Sequence, residues 1–129
     1  MAKTALDLTP TEKRAYRPSL VLDRREREGL EAESSRRKLA WDLARSAAVL
    51  LHSQFGAYKV VVFGSLVHDR PFTRWSDIDL AAWGIPAERF YEAVAAVTAM
   101  SRLFKVDLVD VETCRSKLRD MIEREGREL

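Results

Sequence analysis

The sequence has one cysteine, Cys114, which leaves no partner for an internal disulfide and cannot build a cysteine metal site. Cys114 is predicted to be a small, half-buried residue. No apolar run approaches the roughly 18 residues needed to cross a bilayer, and Met1–Pro10 lacks the apolar core of a signal peptide. A cytoplasmic protein with no membrane partner is therefore predicted. Charge of one sign is also missing. Lys and Arg number 22 against 20 Asp and Glu, a net charge of +2, so composition gives no reason to expect nucleic acid as a partner. There is no internal repeat and no low-complexity tract.

What the chain does have is enough length for one ordinary domain, at 129 residues. A domain of that size hides roughly two-thirds of its surface on folding, so it can build a core without staples. The charged fraction, 33%, exceeds the usual roughly 25%, and the surface should be heavily charged.

Along the chain, Thr9-Pro10-Thr11-Glu12 has the form of a helix start, limited to about two turns by Pro18. Residues 21–54 read as one long helix or two, weakened at Gly29 and Ser34-Ser35. Leu39, Leu43, Ala47, Leu50 and Leu51 are spaced to share one face, and Gly56 stands where a left-handed cap residue belongs. Tyr58–Phe63 is short, β-branched and apolar on both faces, which predicts a buried strand. Residues 66–76 form a polar connection. Ile78–Trp83 predicts a second strand closed by Gly84. A helix runs from Pro86 to about Met100, with Phe90, Val94 and Val97 on one face. Phe104–Val109 is a third strand, and Ser116–Glu125 a last helix, stopped by Gly126. The predicted order is helix, strand, strand, helix, strand, helix.

The chemistry lies in three carboxylates. Asp77 and Asp79 are two apart on a strand, so they project from one face with Cα atoms roughly 6.5–7 Å apart. Their neighbours Ile78, Leu80, Ala81 and Ala82 are apolar. Two anions at the edge of a core repel each other and lose hydration, at a cost of about several kcal/mol each if unpaired. A divalent cation relieves both problems, and hard oxygen ligands suit magnesium. Asp107 interrupts a second apolar strand. If the two strands are neighbours it reaches the same place, and three carboxylates could then hold two magnesium ions, roughly 3.5–4 Å apart in such sites. Gly64-Ser65 would supply the phosphate end. Glycine after a buried strand lets backbone approach a ligand, and a short helix starting at Ser65 or Leu66 would aim N–H groups at phosphate. His68, Arg70 and Arg74 follow in the connection as candidate phosphate contacts.

Each feature has a plainer explanation when taken alone. Gly-Ser is commonly just a turn, Asp-x-Asp is common on solvated strand faces, and Asp107 can pair with Lys105. His52 and His68 fit surface positions, and Trp41, Trp75 and Trp83 fit packing. It is the succession of strand, Gly-Ser, connection, Asp-x-Asp strand, helix and Asp-bearing strand that favours a common site.

Val62-Phe63-Gly64-Ser65, Ser76-Asp77-Ile78-Asp79-Leu80 and Val106-Asp107-Leu108-Val109-Asp110 resemble the minimal nucleotidyltransferases of the DNA polymerase β superfamily. The ending, Leu118-Arg119 through Ile122-Glu123-Arg124-Glu125-Gly126, is also typical of that group. The resemblance covers roughly residues 39–126. It implies a nucleotidyltransferase fold of α/β (α+β) class, a small mixed sheet with helices packed on it. The domain would span 39–129, after an N-terminal extension, 1–38, that is partly helical or disordered. It also implies that Gly64 and Ser65 bind the nucleoside triphosphate, and that Asp77, Asp79 and Asp107 are catalytic metal ligands. The reaction would move AMP from ATP to a hydroxyl, with two magnesium ions and no protein nucleophile. So short a member resembles the antitoxin half of HEPN–nucleotidyltransferase pairs, in which the acceptor is a tyrosine of the HEPN toxin. A non-catalytic binding antitoxin and a small-molecule nucleotidyltransferase are the alternatives, and homo-oligomerisation is left open. The chain departs from the family in two ways. Its Leu66–Ser76 connection is one residue longer than usual, and Val67-His68-Asp69 stands where Ala-Arg-Gly is common.

Overall fold

The computed structural model describes residues 23–129. The helix start expected at Thr9–Glu12 lies outside them. The chain divides into two compact units, with the boundary between Ala32 and Glu33.

Helix α1 spans Arg24–Phe55 as one element, so Gly29 and Ser34-Ser35 do not interrupt it. Asp23 caps its start, accepting the Glu26 N–H at 2.7 Å. Gly56 ends it in the left-handed conformation, at φ +77°. In its first turns Arg24 and Glu28 form an exposed ion pair one helical turn apart. In the second unit the buried residues of α1 are Ala40, Ala44, Ala47, Ala48, Leu51 and Phe55. Of the face read from the sequence, Ala47 and Leu51 are buried and Leu43 and Leu50 pack half-buried against the core, but Leu39 is 52% exposed. Alanines carry the contact because a helix lying close on a sheet has no room for larger side chains at its nearest positions.

Strands β1 (Lys59–Phe63), β2 (Ile78–Trp83), β3 (Val106–Asp110) and β4 (Arg127–Glu128) form one sheet in the order β3-β2-β1-β4. β1 runs antiparallel to β2 and β4, and β2 runs parallel to β3. A parallel pair needs a crossover. Helix α2 (Phe90–Thr98) supplies it, entered through a single 3-10 turn at Ala87–Arg89. Helix α3 (Ser116–Glu125) follows β3. β4 was not predicted. Its two residues are charged and exposed, so no apolar pattern marks it. β3 is an edge strand, half-buried along most of its length rather than buried as its sequence suggested.

Alternation divides the sheet residues between two cores. Val60, Val62, Ile78, Leu80, Ala82 and Val106 join the buried residues of α1 and α2 in the larger one. Val61, Phe63 and Ala81 meet Val111 and Ile122 in the smaller. Asp79 shares the parity of Ala81, so it belongs to the thinner face.

Candidate active site

The site is built where β1 ends and β2 and β3 begin. Asp79 pairs with Phe63 across the antiparallel ladder and with Asp107 across the parallel one. The parallel pairing puts both carboxylates on the same face, the arrangement that could only be conditional in the sequence. The Ile78 N–H donates to the Lys105 carbonyl at 2.9 Å and ties the start of β2 to β3, which keeps Asp77, one residue before the strand, at the same end.

Gly64 follows Phe63 directly. Its φ is +74°, and a Cβ on it would overlap the Asp79 carboxylate. Only glycine meets both conditions. Gly64 thus lies against Asp79, which brings the Gly-Ser turn to the carboxylates. Gly64–Leu66 form one 3-10 turn, closed by the Val67 N–H on the Gly64 carbonyl at 3.2 Å. The sequence suggested a helix start here. A turn this short carries no helix macrodipole, and any pull on an anion comes from local N–H groups and the partly exposed Ser65 hydroxyl.

Electrostatically the site is acidic and strained. Burial pushes the Asp79 carboxyl up to about 6, helped by the charges of Asp107 and then Asp77, with only Lys105 opposing. Lys105 Nζ stands 3.7 Å from Asp107 Oδ1, so Asp107 also makes the ion pair that its plainer explanation anticipated. Among the described residues no three Asp, Glu, His or Cys side chains converge closely enough to hold a metal ion as they stand. The three carboxylates share one end of the sheet without closing into a cage, as mutual repulsion and the pull of Lys105 would have it. The donor chemistry nevertheless fits a hard divalent cation, because the candidate donors are all carboxylate oxygens and the like charges around Asp79 outweigh the pull of Lys105.

Of the basic residues in the connection, His68 Nε2 lies 3.6 Å from a Glu125 carboxylate oxygen on α3, and the Arg74 guanidinium lies 4.9 Å from the centre of the Trp75 ring. Trp75 is 80% exposed, so it is not a packing residue. It sits two residues before Asp77 on a turn closed by the Ser76 N–H on the Thr73 carbonyl at 3.0 Å. The sequence reading missed Glu33 and Arg37. From α1 they bond the backbone of residues 66–72, and only their position four apart in a stretch with little apolar surface could have drawn attention to them.

The profile of the polymerase β nucleotidyltransferase family matches residues 48–129, a span that holds Gly64, Ser65 and all three aspartates. The chain belongs to this family. Among curated proteins nothing matches it in sequence. Among solved structures, the nucleotidyltransferase resembles the toxin–antitoxin MntA-HepT at 19% identity and a TM-score of 0.51, over 67% of this chain and 68% of that one. It resembles a toxin–antitoxin with AMP-PNP at 20% identity and a TM-score of 0.54, over 64% and 69%. A third is a tri-AMPylated Shewanella oneidensis HEPN toxin in complex with MNT antitoxin, at 19% identity and a TM-score of 0.53, over 69% and 70%. At these identities the likeness is one of fold.

Proposed function

We propose that this nucleotidyltransferase moves AMP from ATP to a hydroxyl, with magnesium, and that the acceptor is a tyrosine of a HEPN toxin for which the chain serves as antitoxin. The observation that carries the reading is the in-register pairing of Asp79 with Asp107 above Gly64, which gathers the Gly-Ser turn and the carboxylates at one end of the sheet. The fold likeness to antitoxins of HEPN–nucleotidyltransferase pairs supports the acceptor.

In this reading Gly64 and Ser65 receive the triphosphate through backbone N–H groups and one hydroxyl. Asp77, Asp79 and Asp107 would hold magnesium, which when bound supplies neutralisation of triphosphate charge and of the leaving pyrophosphate. Asp107, half-buried on the edge strand, takes the proton of the attacking hydroxyl. The domain contributes position and charge rather than a covalent intermediate. Residues 39–129 form the catalytic part, and 1–38 an N-terminal extension.

The test is incubation of the chain with labelled ATP, magnesium and the product of the adjacent gene. Label on that protein, lost in Asp77→Asn, is the expected result. Tight association without label, with neutralisation unaffected by Asp77→Asn, would establish a binding antitoxin instead. Label on a small acceptor in the absence of the partner would establish a small-molecule enzyme.

A further inference from the structure

The connection between Gly64-Ser65 and Asp77 has no regular structure after Leu66, yet its backbone is held from α1. The Arg37 guanidinium donates through Nη1 to the Leu66 carbonyl at 3.0 Å and the His68 carbonyl at 3.4 Å. Through Nη2 it donates to the Arg70 carbonyl and to Glu33 Oε1. All its Nη hydrogens therefore have acceptors, three of them alternate carbonyls of a single loop. Glu33, one helical turn earlier, accepts the Phe72 N–H at 3.0 Å. That hydrogen bond, burial working against it, and Arg37 together hold the Glu33 carboxyl below its ordinary range. Phe72 is itself fully buried and anchors the far end, with Arg37 over its ring at 5.8 Å. The near end is fixed by Gly64 under Asp79.

We propose that Arg37, braced by Glu33, is a positioning residue that sets the shape of loop 66–72 and so fixes the Gly64-Ser65 turn for a nucleoside triphosphate. The inference rests on the nucleotide-transfer reading. Its physical basis is that a phosphate site made of backbone N–H groups works only if that backbone is already in place. This loop is long, lacks a glycine after Gly64, and has no helix to stiffen it. A planar fork with several donors can fix alternate carbonyls at once, which a lysine ammonium on a flexible stem cannot do. Arg37 spends its donors on carbonyls, so it acts through the loop and not by touching phosphate.

Two measurements on the full chain test this. The first is amide hydrogen exchange without ligand, comparing wild type with Arg37→Met, which keeps an apolar stem against Phe72. Protection should fall at residues 66–72 and persist in β1 and β2. The second is calorimetric titration with AMP-PNP and magnesium. Arg37→Met should weaken binding by about tenfold or more, equal to about 1.4 kcal/mol, and Arg37→Lys should not rescue it. Full rescue by lysine would mean that charge, not loop shape, is what matters, and would overturn the proposal. So would unchanged exchange, or a loosened loop with unchanged affinity. If Arg37→Met loses protection across the sheet, Glu33→Gln takes its place, with faster exchange expected around Phe72 alone; loss across the sheet in both overturns the proposal. Failure of wild type to take up AMP-PNP would sink the nucleotide reading and this inference with it. Uptake by wild type and undiminished uptake by Arg37→Met would sink the inference alone.

Discussion

On one face of the sheet Val60, Val62, Ile78, Leu80 and Ala82 lie buried beneath α1 and α2. On the other, Val61, Phe63 and Ala81 meet Val111 and Ile122 and then give way to Asp79 and Asp107. The same strands supply both faces, one residue apart. The first face is apolar throughout, so its contribution is stability. The second gives up apolar cover at its end to gather like charges, so its contribution is chemistry, and folding tolerates that repulsion because the first face holds the strands in register.

The sharpest way to break the comparison is Leu80→Ala, on the thick face. It should cost about 2–5 kcal/mol in urea unfolding, since Leu80 is fully buried among side chains that relax only in part. Ile122→Ala, on the thin face, should fall at the low end of that scale, near about 2 kcal/mol, because few buried neighbours surround it. Equal costs would mean that the two faces do not differ as described.

Asp79→Asn should go the other way. The folded-state pKa of Asp79 is raised from 3.8 to about 6 by burial first and then by Asp107 and Asp77. The folded state therefore binds its proton more tightly than the unfolded chain does, and stability falls as pH rises between these values and stays lower above. The asparagine variant should be the more stable by the order of 1 kcal/mol at pH 8, after allowance for solvent screening of a half-buried group. That gain should vanish below about pH 4, where both forms are neutral. Thermal melts at the two pH values check this. Magnesium should raise the wild-type Tm at pH 8 and have little effect on the variant. The smallest effect is Trp75→Ala, which should change unfolding by no more than about 0.5 kcal/mol because the ring is exposed.

Much of this was legible in the residues. A β-branched run placed β1 within one residue, the strand read at Ile78–Trp83 is β2 at those bounds, and the Ser116–Glu125 helix fell where its apolar spacing put it. The apolar period of α1 showed that it was amphipathic but not how it was turned, because leucine and alanine rows lie side by side and closeness of approach decides between them. Leu39 points away while Ala40 and Ala44 face the sheet. β4 carried no signal, since backbone pairing alone makes it a strand.

The sequence by itself determined the identity and order of the chemical groups, because strand period and residue type are local properties. Gly64 before the Asp77-Asp79 strand and Asp107 on the next strand could be read in a line. Only the tertiary structure decided that Asp79 and Asp107 pair in register, that Gly64 lies against the Asp79 carboxylate, and that Glu33 and Arg37 grip the loop from α1. Those are contacts between residues far apart in the chain. Their geometry follows from how helices and strands pack, which no single segment specifies.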